Sequence, residues 1–417
     1  MTGADFDVLV IGAGPAGLSA AVAAAENGAR VLLVDENADP GGQIWRKDLL
    51  DEGKKRKRDL VRRANDAGVE TAFSSRISVV LDQSCAILDS DAGTRRIEFG
   101  RAVIATGARE LMLPFPGWTF PNVFGIGGLQ ALVKSGFDVA GKRIAISGTG
   151  PLLPAVGSFL KKRGARIVIV AEQATSFSLV RFAASMVSQP RKLLQARDYL
   201  FGRNAVTIKP NRFIRSVRRD GSELVLNFGP SGGIDELRCD ILATGFHLVP
   251  NTDVAMAFGC EIRNGRVVTD DFQETSVKGI YAAGEPTGIS GVEGALAEGT
   301  IAGFAASGAH EMAEPLFRKR DRETAFGGKL DLAFMLRPEL RELAEKDTII
   351  CRCEDVKFEQ LRNRTTWREA KLLTRCGMGP CQGRICGPAY AFLFNQEVLE
   401  QRNPIQPLAC GEIAKGS

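Results

Sequence analysis

The chain has 417 residues, of which 44% are hydrophobic, and a formal net charge of +5. This length predicts two or three domains, and so small a charge excess gives no argument for binding nucleic acid. No apolar run approaches the roughly 20 residues that cross a bilayer, so we expect no transmembrane segment. The opening residues lack the basic region that begins a signal peptide. The default expectation is a cytoplasmic location, with peripheral attachment to the inner membrane as the alternative.

The chain begins with a strand that leads into a glycine-rich turn. Phe6–Ile11 is a short apolar run with β-branched residues, which predicts a buried parallel strand. Gly12, Gly14 and Gly17 follow with the spacing G-x-G-x-x-G. The first glycine allows a sharp turn, the second lets the backbone approach a pyrophosphate, and the third lets the next helix pack closely on the sheet.

A helix, a second strand and an acidic pair complete this unit. Pro15 suits the first turn of a helix, where its missing N–H needs no partner, and Ala16–Asn27 is rich in alanine. Arg30–Val34 predicts a second buried strand, which Asp35 and Glu36 follow. A carboxylate at this point can hold both ribose hydroxyls of an adenosine and disfavours a 2′-phosphate. The unit therefore predicts FAD or NAD binding rather than NADP binding, with a purely structural βαβ unit as the alternative.

The next hundred residues add a helix, several strands and a second tight turn. Residues 47–75 are expected to be helical, and Ile77–Ile97 to form strands. Arg101–Glu110 then reads as a strand that runs into Thr106 and Gly107 of an Ala-Thr-Gly sequence. Such a turn can bring the backbone close to a ligand.

A second strand–turn–helix unit begins near residue 141. Gly148 and Gly150 match the first two glycines of the motif, but Leu153 stands in place of the third and would hold the helix farther from the sheet. A strand beginning at Arg166 ends near Glu172. Two interpretations stay open here, a working site for a pyridine nucleotide and a retained scaffold.

Two segments are notably basic. Lys54–Arg58 carries five consecutive basic residues, and the segment 173–205 contains Arg181, Arg191 and Arg197. The first is expected to be a solvated helix face, with a docking face for an acidic partner or a membrane surface as the alternative. The second is expected to be helical and could be a contact between subunits.

The last part of the nucleotide-binding region repeats earlier features. A second Ala-Thr-Gly sequence occupies residues 243–245, and Gly279–Gly303 reads as a strand, then Gly284 and Glu285, then an alanine-rich helix. A helix N-terminus directs backbone N–H groups toward an anion. His247 follows the second Ala-Thr-Gly and could face a cofactor, although a packed or solvated histidine is the other interpretation. We expect no catalytic residue in this chain.

The ordered set of these motifs over residues 5–305 resembles the two-dinucleotide-binding-domain flavoproteins, the thioredoxin reductase and disulfide reductase superfamily. The resemblance implies that one FAD is bound by the first unit and by the 279–303 unit. The cofactor-binding residues that it implies are Gly12, Gly14, Pro15, Ala16, Gly17, Asp35, Glu36, Gly42, Gln43, Thr106, Gly107, Gly284 and Glu285. Glu285 departs from the usual aspartate. No C-x-x-C occurs in these residues, so thiol–disulfide exchange is not expected.

Five of the nine cysteines lie close together near the C-terminal end, whereas Cys85, Cys239, Cys260 and Cys410 are scattered. The crowded five are Cys351, Cys353, Cys376, Cys381 and Cys386. The C-x-C and C-x4-C pairs predict two loops that hold a [2Fe–2S] cluster with four thiolates. We take Cys376 as the spare, which leaves the other four as ligands. Structural zinc and unligated thiols are the alternatives.

The cysteine-rich tail resembles the BFD-like [2Fe–2S] domain, through the sequence TRCGMGPCQGRIC. With the flavoprotein core, the whole chain resembles the alpha subunits of amine-oxidising complexes, namely opine (octopine and nopaline) oxidases, hydroxyproline dehydrogenases and hydrogen cyanide synthase. The resemblance implies a partner, an FAD-dependent, amine oxidase-like beta subunit that oxidises the substrate. It also implies a small third subunit, with FMN at the interface between subunits.

The predicted fold is α/β. An FAD-binding Rossmann-like domain (1–115 and 243–310) contains an inserted NAD(P)-type Rossmann domain (116–242), and a linker (311–348) leads to a small α-helical [2Fe–2S] domain (349–417). The predicted function is electron transfer, through flavin and [2Fe–2S], from a C–N bond oxidised on the partner to a quinone or another acceptor. The alternatives are a self-sufficient NAD(P)H-dependent reductase and a nucleotide-bound scaffold without redox function.

Overall fold

The computed structural model describes residues 4–46, 51–186, 202–229, 236–398 and 402–408. These residues form two compact units. The first unit comprises the described parts of Met1–Arg109, Pro250–Gly328 and Leu399–Ser417. The second unit comprises the described parts of Glu110–Val249 and Lys329–Val398.

Most of the described strands are short, and twelve of them belong to two larger sheets of seven and five strands. In chain order they are β1 Phe6–Ile11, β2 Val31–Val34, β3 Glu70–Ala72, β4 Ser75–Val80, β5 Cys85–Ser90, β6 Gly93–Ile104, β7 Ala108–Glu110, β8 Val123–Gly125, β9 Arg143–Gly148, β10 Arg166–Glu172, β11 Ile208–Lys209, β12 Phe213–Asp220, β13 Glu223–Gly229, β14 Leu237–Cys239, β15 Ile241–Gly245, β16 Leu248–Pro250, β17 Ile262–Arg263, β18 Arg266–Val267, β19 Ile280–Ala282, β20 Ile349–Cys351 and β21 Val356–Lys357.

The described helices alternate with these strands and then dominate the C-terminal third. They are α1 Pro15–Glu26, α2 Asp51–Asp66, α3 Ile126–Lys134, α4 Leu152–Lys162, α5 Ser176–Ser185, α6 Asp253–Ala257, α7 Gly291–Ala306, α8 His310–Ala313, α9 Phe317–Ala333, α10 Phe358–Leu361, α11 Trp367–Thr374 and α12 Cys386–Phe394. Short 3-10 helices lie at Glu314–Leu316 and Pro338–Glu342. None of these described helices is long and apolar enough to cross a bilayer.

The first unit is built on a sheet with the order β3-β2-β1-β6-β5-β4, and β19 also pairs with β6. Its pairings from β3 through β2 and β1 to β6 and β19 are parallel. Strand β1 is buried on both faces, because Val8 and Val10 belong to one core and Leu9 and Ile11 to another. This double burial explains why the strand reads as a continuous apolar run.

Helices α1 and α7 of this unit pack at very short range. A Cβ added at Gly299 would lie 2.1 Å from the carbonyl oxygen of Ala16, and one at Gly303 would lie 2.3 Å from that of Ala20. Ala16 to Ala25 of α1 are all buried. A helix that is buried on all sides has no room for large side chains at such contacts, which accounts for the alanine and glycine content of both helices.

The second unit contains a parallel five-stranded sheet with the order β11-β10-β9-β15-β8. An antiparallel sheet, β12-β13-β14, packs in the same core as the start of this unit. Its C-terminal part combines the antiparallel pair β20–β21 with α10, α11 and α12 around a separate small core. Each parallel sheet therefore belongs to one unit, as expected for an α/β protein with two Rossmann-type folds.

Some local expectations change in the structure. The expected helix at 47–75 is Asp51–Asp66 in the described residues, and Glu70–Ala72 is a parallel edge strand that pairs with β2. The strand forms because sheet pairing satisfies backbone groups that local sequence does not constrain. Arg191 and Arg197 of the expected basic helix, and Cys410, lie outside the described residues. The domain limits expected from the sequence stay predictions.

Because α1 and α7 are in close contact, we expect two glycine-to-alanine substitutions to differ greatly in their effect on the free energy of unfolding. Gly303→Ala places a Cβ 2.3 Å from a backbone oxygen, and we expect it to lower the unfolding free energy by about 1–3 kcal/mol. Gly328→Ala is the control, because a Cβ there meets nothing within 4 Å and alanine raises helix propensity by up to about 1 kcal/mol. Thermal and urea unfolding measure both effects, and equal stability of the two variants would contradict this packing.

Candidate functional site

In the first glycine turn, Gly12 and Gly17 pack closely against backbone atoms, whereas Gly14 has free space beside it. A Cβ at Gly12, whose φ is +105°, would lie 2.3 Å from the carbonyl oxygen of Ala105. A Cβ at Gly17 would lie 1.7 Å from the carbonyl oxygen of Gly12. A Cβ at Gly14 would meet nothing within 4 Å. The first and third glycines therefore serve the fold, and the second leaves room beside the N-terminus of α1, which begins at Pro15.

Asp35 holds this turn from the end of β2. It is 7% exposed, and its Oδ2 accepts a hydrogen bond of 2.6 Å from the backbone N–H of Ala13. Its Oδ1 accepts two more from Asn37, of 2.8 Å from the backbone and 2.7 Å from the side chain. Glu36 is exposed. Asp35 is thus a buried acceptor at the position predicted to meet a ribose, and Asn37 is a partner that the sequence did not indicate.

The glycine pair after β2 lies against the same turn. The N–H of Gly41 donates to the carbonyl oxygen of Ala13 at 2.7 Å, and a Cβ at Gly42 would lie 3.0 Å from the Cα of Gly14. Gln43 is exposed. The structure therefore brings Gly42 to the predicted site, with Gln43 next to it in the chain.

The Ala-Thr-Gly sequence at residues 105–107 is fixed by an asparagine that sequence reasoning missed. The hydroxyl of Thr106 donates to the carbonyl oxygen of Asn251 at 2.7 Å, and the side-chain amide of Asn251 donates to the carbonyl oxygen of Thr106 at 2.8 Å. The N–H of Asn251 also donates to the carbonyl oxygen of Gly107 at 2.9 Å. Arg109 donates to the side-chain oxygen of Asn251 at 2.6 Å. These four bonds fix the turn across 145 residues of sequence.

A second missed residue, Glu298, holds the turn that follows β19. Its Oε2 accepts a hydrogen bond of 2.8 Å from the N–H of Gly284 and one of 2.7 Å from the hydroxyl of Thr287. Glu298 is 4% exposed, and this burial raises its pKa to about 7. The signal in the sequence is an acid within an otherwise alanine- and glycine-rich helix. Glu298 resembles Asp35 in one respect: each carboxylate accepts a hydrogen bond from the backbone N–H of a glycine turn.

Gly284 and Glu285 connect the remaining parts of the site. A Cβ at Gly284 would lie 2.9 Å from the Cβ of Ala16 in α1. The Oε2 atom of Glu285 lies 3.9 Å from the Cβ position of Gly107, and the N–H of Ala108 donates to this carboxylate. Burial raises the pKa of Glu285. The four predicted segments of the first unit therefore meet around the N-terminus of α1.

The residues of this site fit a bound dinucleotide. Free space at Gly14 is the feature that a pyrophosphate needs, and the adjacent helix N-terminus directs backbone N–H groups toward an anion. The buried carboxylate of Asp35 stands at the end of the second strand, where a ribose is held. The roles assigned to individual residues stay predictions.

The glycine turn of the second unit repeats two features of the first, a tightly packed first glycine and a buried carboxylate. A Cβ at Gly148 would lie 1.9 Å from the carbonyl oxygen of Gly245, so this turn is also tightly packed. The carboxylate of Glu172 accepts hydrogen bonds from the hydroxyl of Thr149 at 2.7 Å and from the N–H groups of Gly150 and Ala174 at 2.8 Å each. Glu172 is 3% exposed, and like Asp35 its carboxylate accepts three hydrogen bonds from its own surroundings.

Five cysteines lie near one another in the second unit, and together they are called the thiol group below. They are Cys351, Cys353, Cys376, Cys381 and Cys386. The Sγ atoms of Cys351, Cys376 and Cys386 all lie within 4.8 Å of one another, and all three residues are buried. Cys353 is exposed and hydrogen-bonds with Cys381. The structure thus places Cys376 among the buried thiols, and which of the five cysteines is the spare stays a prediction.

The chemistry of the thiol group fits a metal or an iron–sulfur cluster. Hydrogen bonds from Cys376 and Cys386 lower the pKa of Cys351, whereas their bonds to Cys351 raise the pKa of those two thiols. Cys351 is therefore the member of the three that most readily forms a thiolate, the form that binds metals. Tight turns surround the group. A Cβ at Gly379 would lie 2.4 Å from the Cβ of Cys353. Cys85, Cys239 and Cys260 are buried elsewhere.

Comparison with known proteins gives a consistent result. The family model described as pyridine nucleotide-disulphide oxidoreductase matches residues 6–299. The A subunit of opine oxidase from Rhizobium meliloti (strain 1021) is 32% identical over 98% of this chain and 98% of that protein. Hydrogen cyanide synthase subunit HcnB of Pseudomonas aeruginosa is 30% identical over 91% of this chain and 90% of that protein.

Two solved structures share the fold. L-proline dehydrogenase from P. horikoshii aligns with a TM-score of 0.68 and 21% identity over 98% of this chain and 79% of that chain. Thioredoxin reductase from T. acidophilum aligns with a TM-score of 0.59 and 20% identity over 73% of this chain and 98% of that chain. The first alignment extends along nearly the whole chain, through the cysteine-rich part.

The raised pKa of Glu298 predicts a pH dependence of stability. The folded chain holds this proton more tightly than the unfolded chain, in which the ordinary value is 4.5. The unfolding free energy should therefore fall as the pH rises from about 4.5 to about 7, by about 3 kcal/mol for this group. Glu298→Gln should lack this fall.

The measurement is urea unfolding of both proteins across this pH range. Glu172 and Glu285 are also shifted upward by burial, so the wild-type slope contains their contributions too. The difference between the two curves isolates Glu298. Parallel curves would contradict the assigned environment of this carboxylate.

Proposed function

Because the chain belongs to the pyridine nucleotide-disulphide oxidoreductase family and is related along its whole length to the A subunit of opine oxidase, we propose that it is the electron-transfer subunit of a heteromeric amine oxidase or dehydrogenase. The partner subunit oxidises a C–N bond of an amino acid or an opine. The observation that carries the proposal is the presence, in one chain, of a dinucleotide turn and a group of five neighbouring cysteines. This pairing suits a protein that collects electrons and passes them to a quinone or another acceptor.

The first unit would bind FAD. Gly14 leaves space for the pyrophosphate, Asp35 accepts from the adenosine ribose, and Gly42 lies beside the turn. Glu285 adjoins Gly107 at the other end of the site. The bound flavin supplies an acceptor that takes two electrons together and releases them singly.

The thiol group would hold a [2Fe–2S] cluster through four of its five thiolates. The set proposed from the sequence is Cys351, Cys353, Cys381 and Cys386. The burial of Cys376 next to Cys351 makes it the rival to one of these four. Zinc would need the same number of thiolates but could not transfer electrons.

A partner is supported by the surface beside the thiol group. Leu372 and Leu373 at the end of α11 are 67% and 62% exposed, and Met378, two residues after Cys376, is 44% exposed. The segment from Arg352 to Arg384 contains eight basic and four acidic residues. Exposed apolar side chains in a segment with an excess of basic residues suit an acidic redox subunit that must approach the cluster closely. The proposed complex is completed by an FAD-dependent beta subunit, by a small third subunit, and by FMN at their interface.

We expect a substitution at Gly14 to remove the bound cofactor without unfolding the chain. The backbone there is extended (φ −72°) and open, so Gly14→Val should fold while its side chain takes the space of the pyrophosphate. Gly17→Ala is the comparison variant, which shows what loss of the fold looks like. Its Cβ would lie 1.7 Å from a backbone oxygen, so this variant should destabilise the unit.

The readouts are the nucleotide released by acid, identified against FAD, NAD and ATP, and the melting temperature compared with cofactor-free wild type. We expect FAD from wild type, and from Gly14→Val at least about tenfold less bound FAD (about 1.4 kcal/mol or more). A variant that retains full FAD would contradict the placement of the pyrophosphate. Release of ATP or NAD alone would favour the scaffold alternative.

The experiment that tests the proposed function is anaerobic reduction of the chain in complex with its co-purified partner. An amino acid or opine substrate should bleach the flavin and produce the low-temperature EPR signal of a reduced [2Fe–2S] cluster. NADH added to the chain alone should do neither. Rapid flavin bleaching by NADH would overturn the proposal in favour of a self-sufficient reductase.

Single cysteine-to-alanine variants of the five thiols sharpen the same experiment. Four variants should lose the EPR signal and most of the bound iron, and the fifth should keep both, which identifies the spare. Cys239→Ala is the control, since this buried thiol lies in the core of the second unit outside the group. Retention of iron in all five variants would exclude a cluster at these residues.

A further inference from the structure

The segment that leads from α9 to the second 3-10 helix lies against the glycine turn of the second unit. We name residues 334–337 the strap. Phe334 is 7% exposed, although the residue after it, Met335, is 69% exposed. The Phe334 ring packs edge-to-face on Phe182 of α5, with 5.2 Å between centroids. A single aromatic side chain is thus inserted into the unit from an otherwise exposed segment.

The Phe334 ring lies beside the second glycine of the turn. Its Cγ is 4.0 Å from the Cβ position of Gly150, the second glycine of the turn. In a working dinucleotide site this glycine lets the backbone approach the pyrophosphate. At Gly14 of the first unit the same position is open within 4 Å. The two turns therefore differ at the decisive glycine, because an aromatic ring of the chain itself adjoins the second.

Polar contacts fix the strap next to the same turn. Gln173 is completely buried, and its side-chain amide donates to the carbonyl oxygen of Met335 at 3.1 Å and to the hydroxyl oxygen of Thr149 at 3.0 Å. Its side-chain oxygen accepts from the N–H of Arg337 at 3.2 Å. A buried amide with every group satisfied in this way is costly to expose or to leave unpaired. The hydrogen bonds of Gln173 therefore join the turn and the strap into one structure.

The far end of the strap is fixed by Arg337. Its guanidinium hydrogen-bonds with the side-chain oxygen of Asn211 and lies over the ring of Phe213, 5.8 Å from the centroid. Glu339 forms an ion pair with the same guanidinium at 2.8 Å. The strap is consequently held at both ends of its four residues.

We propose that the strap is the resident occupant of the dinucleotide turn in the second unit and excludes pyridine nucleotides from it. This inference rests on the proposed function, in which electrons enter from a partner subunit rather than from NAD(P)H. The turn and its glycines would then be retained for packing. Glu172 accepts hydrogen bonds from Thr149 and Gly150 and so holds the turn from the end of β10.

The test is NADH binding by the full chain with and without the strap contacts. Phe334→Ala removes the ring beside Gly150, and Gln173→Ala removes the hydrogen bonds to Met335 and Arg337; the double variant combines them. Met335→Ala is the matched control within the strap, because this side chain is exposed. NADH is the probe, since an acid at the end of the second strand disfavours the 2′-phosphate of NADPH.

We expect fluorescence titration to show no saturable NADH binding by wild type or by Met335→Ala. The double variant should bind NADH at least about tenfold more tightly, because the strap lowers the fraction of chains that are competent to bind. Hydrogen exchange at residues 334–337 should rise in the double variant and stay high with NADH, because the nucleotide and the strap compete for the same turn.

Two results would overturn the inference. Wild type that binds NADH as tightly as the double variant would show that the strap does not exclude the nucleotide. A folded double variant with mobile strap residues and no NADH binding would show that the turn itself, with Leu153 in place of a glycine, excludes it. Binding needs neither flavin reduction nor the thiol group, so a failure of the proposed function would appear separately, in the substrate-reduction experiment.

Discussion

The structure of the first unit depends on how closely backbone can approach the N-terminal half of α1. Glycines at positions 17, 284, 299 and 303 each remove a side chain that would collide with this helix or with its turn, and Gly12 of the turn removes one that would collide with Ala105. The contacts are to backbone atoms at Gly12, Gly17, Gly299 and Gly303, and backbone cannot give way cheaply. With these contacts satisfied, one further glycine, Gly14, leaves open space at the helix N-terminus. The same constraint that packs the helix therefore shapes the proposed cofactor site.

A second feature recurs in the described residues, a buried carboxylate that accepts a hydrogen bond from a glycine turn. Asp35, Glu172 and Glu298 each accept a backbone N–H from a glycine turn. At Asp35 and Glu298 the turns adjoin the open position at Gly14, whereas at Glu172 the turn adjoins the strap. The comparison explains how two similar sequence motifs in one chain can have different occupants. The glycine motif predicts the shape of the turn. The segments that pack next to the turn determine whether a nucleotide has space to bind there.

Much of this arrangement could be predicted from local sequence. The strand Phe6–Ile11, the helix after Pro15 and the glycine turn follow from spacing and apolar periodicity, since their causes lie within thirty residues. Membership of the oxidoreductase family and the relation to opine oxidase were also expected from the ordered motifs.

Other features could not be predicted, because their causes lie far apart in the sequence. Asn251 holds Thr106 across 145 residues, and Gln173 meets Met335 across 162. No local pattern indicates either pair. Cys376 illustrates the same difficulty, since C-x-C and C-x4-C spacing favoured its neighbours while the fold places it beside Cys351 and Cys386.

The central claim is that one chain carries a flavin and an iron–sulfur cluster. The most direct measurement is the visible absorption spectrum of the chain purified without exposure to air. The account predicts flavin bands overlaid on the broad absorption of a [2Fe–2S] cluster. A colourless chain, or flavin bands without iron–sulfur absorption, would contradict it.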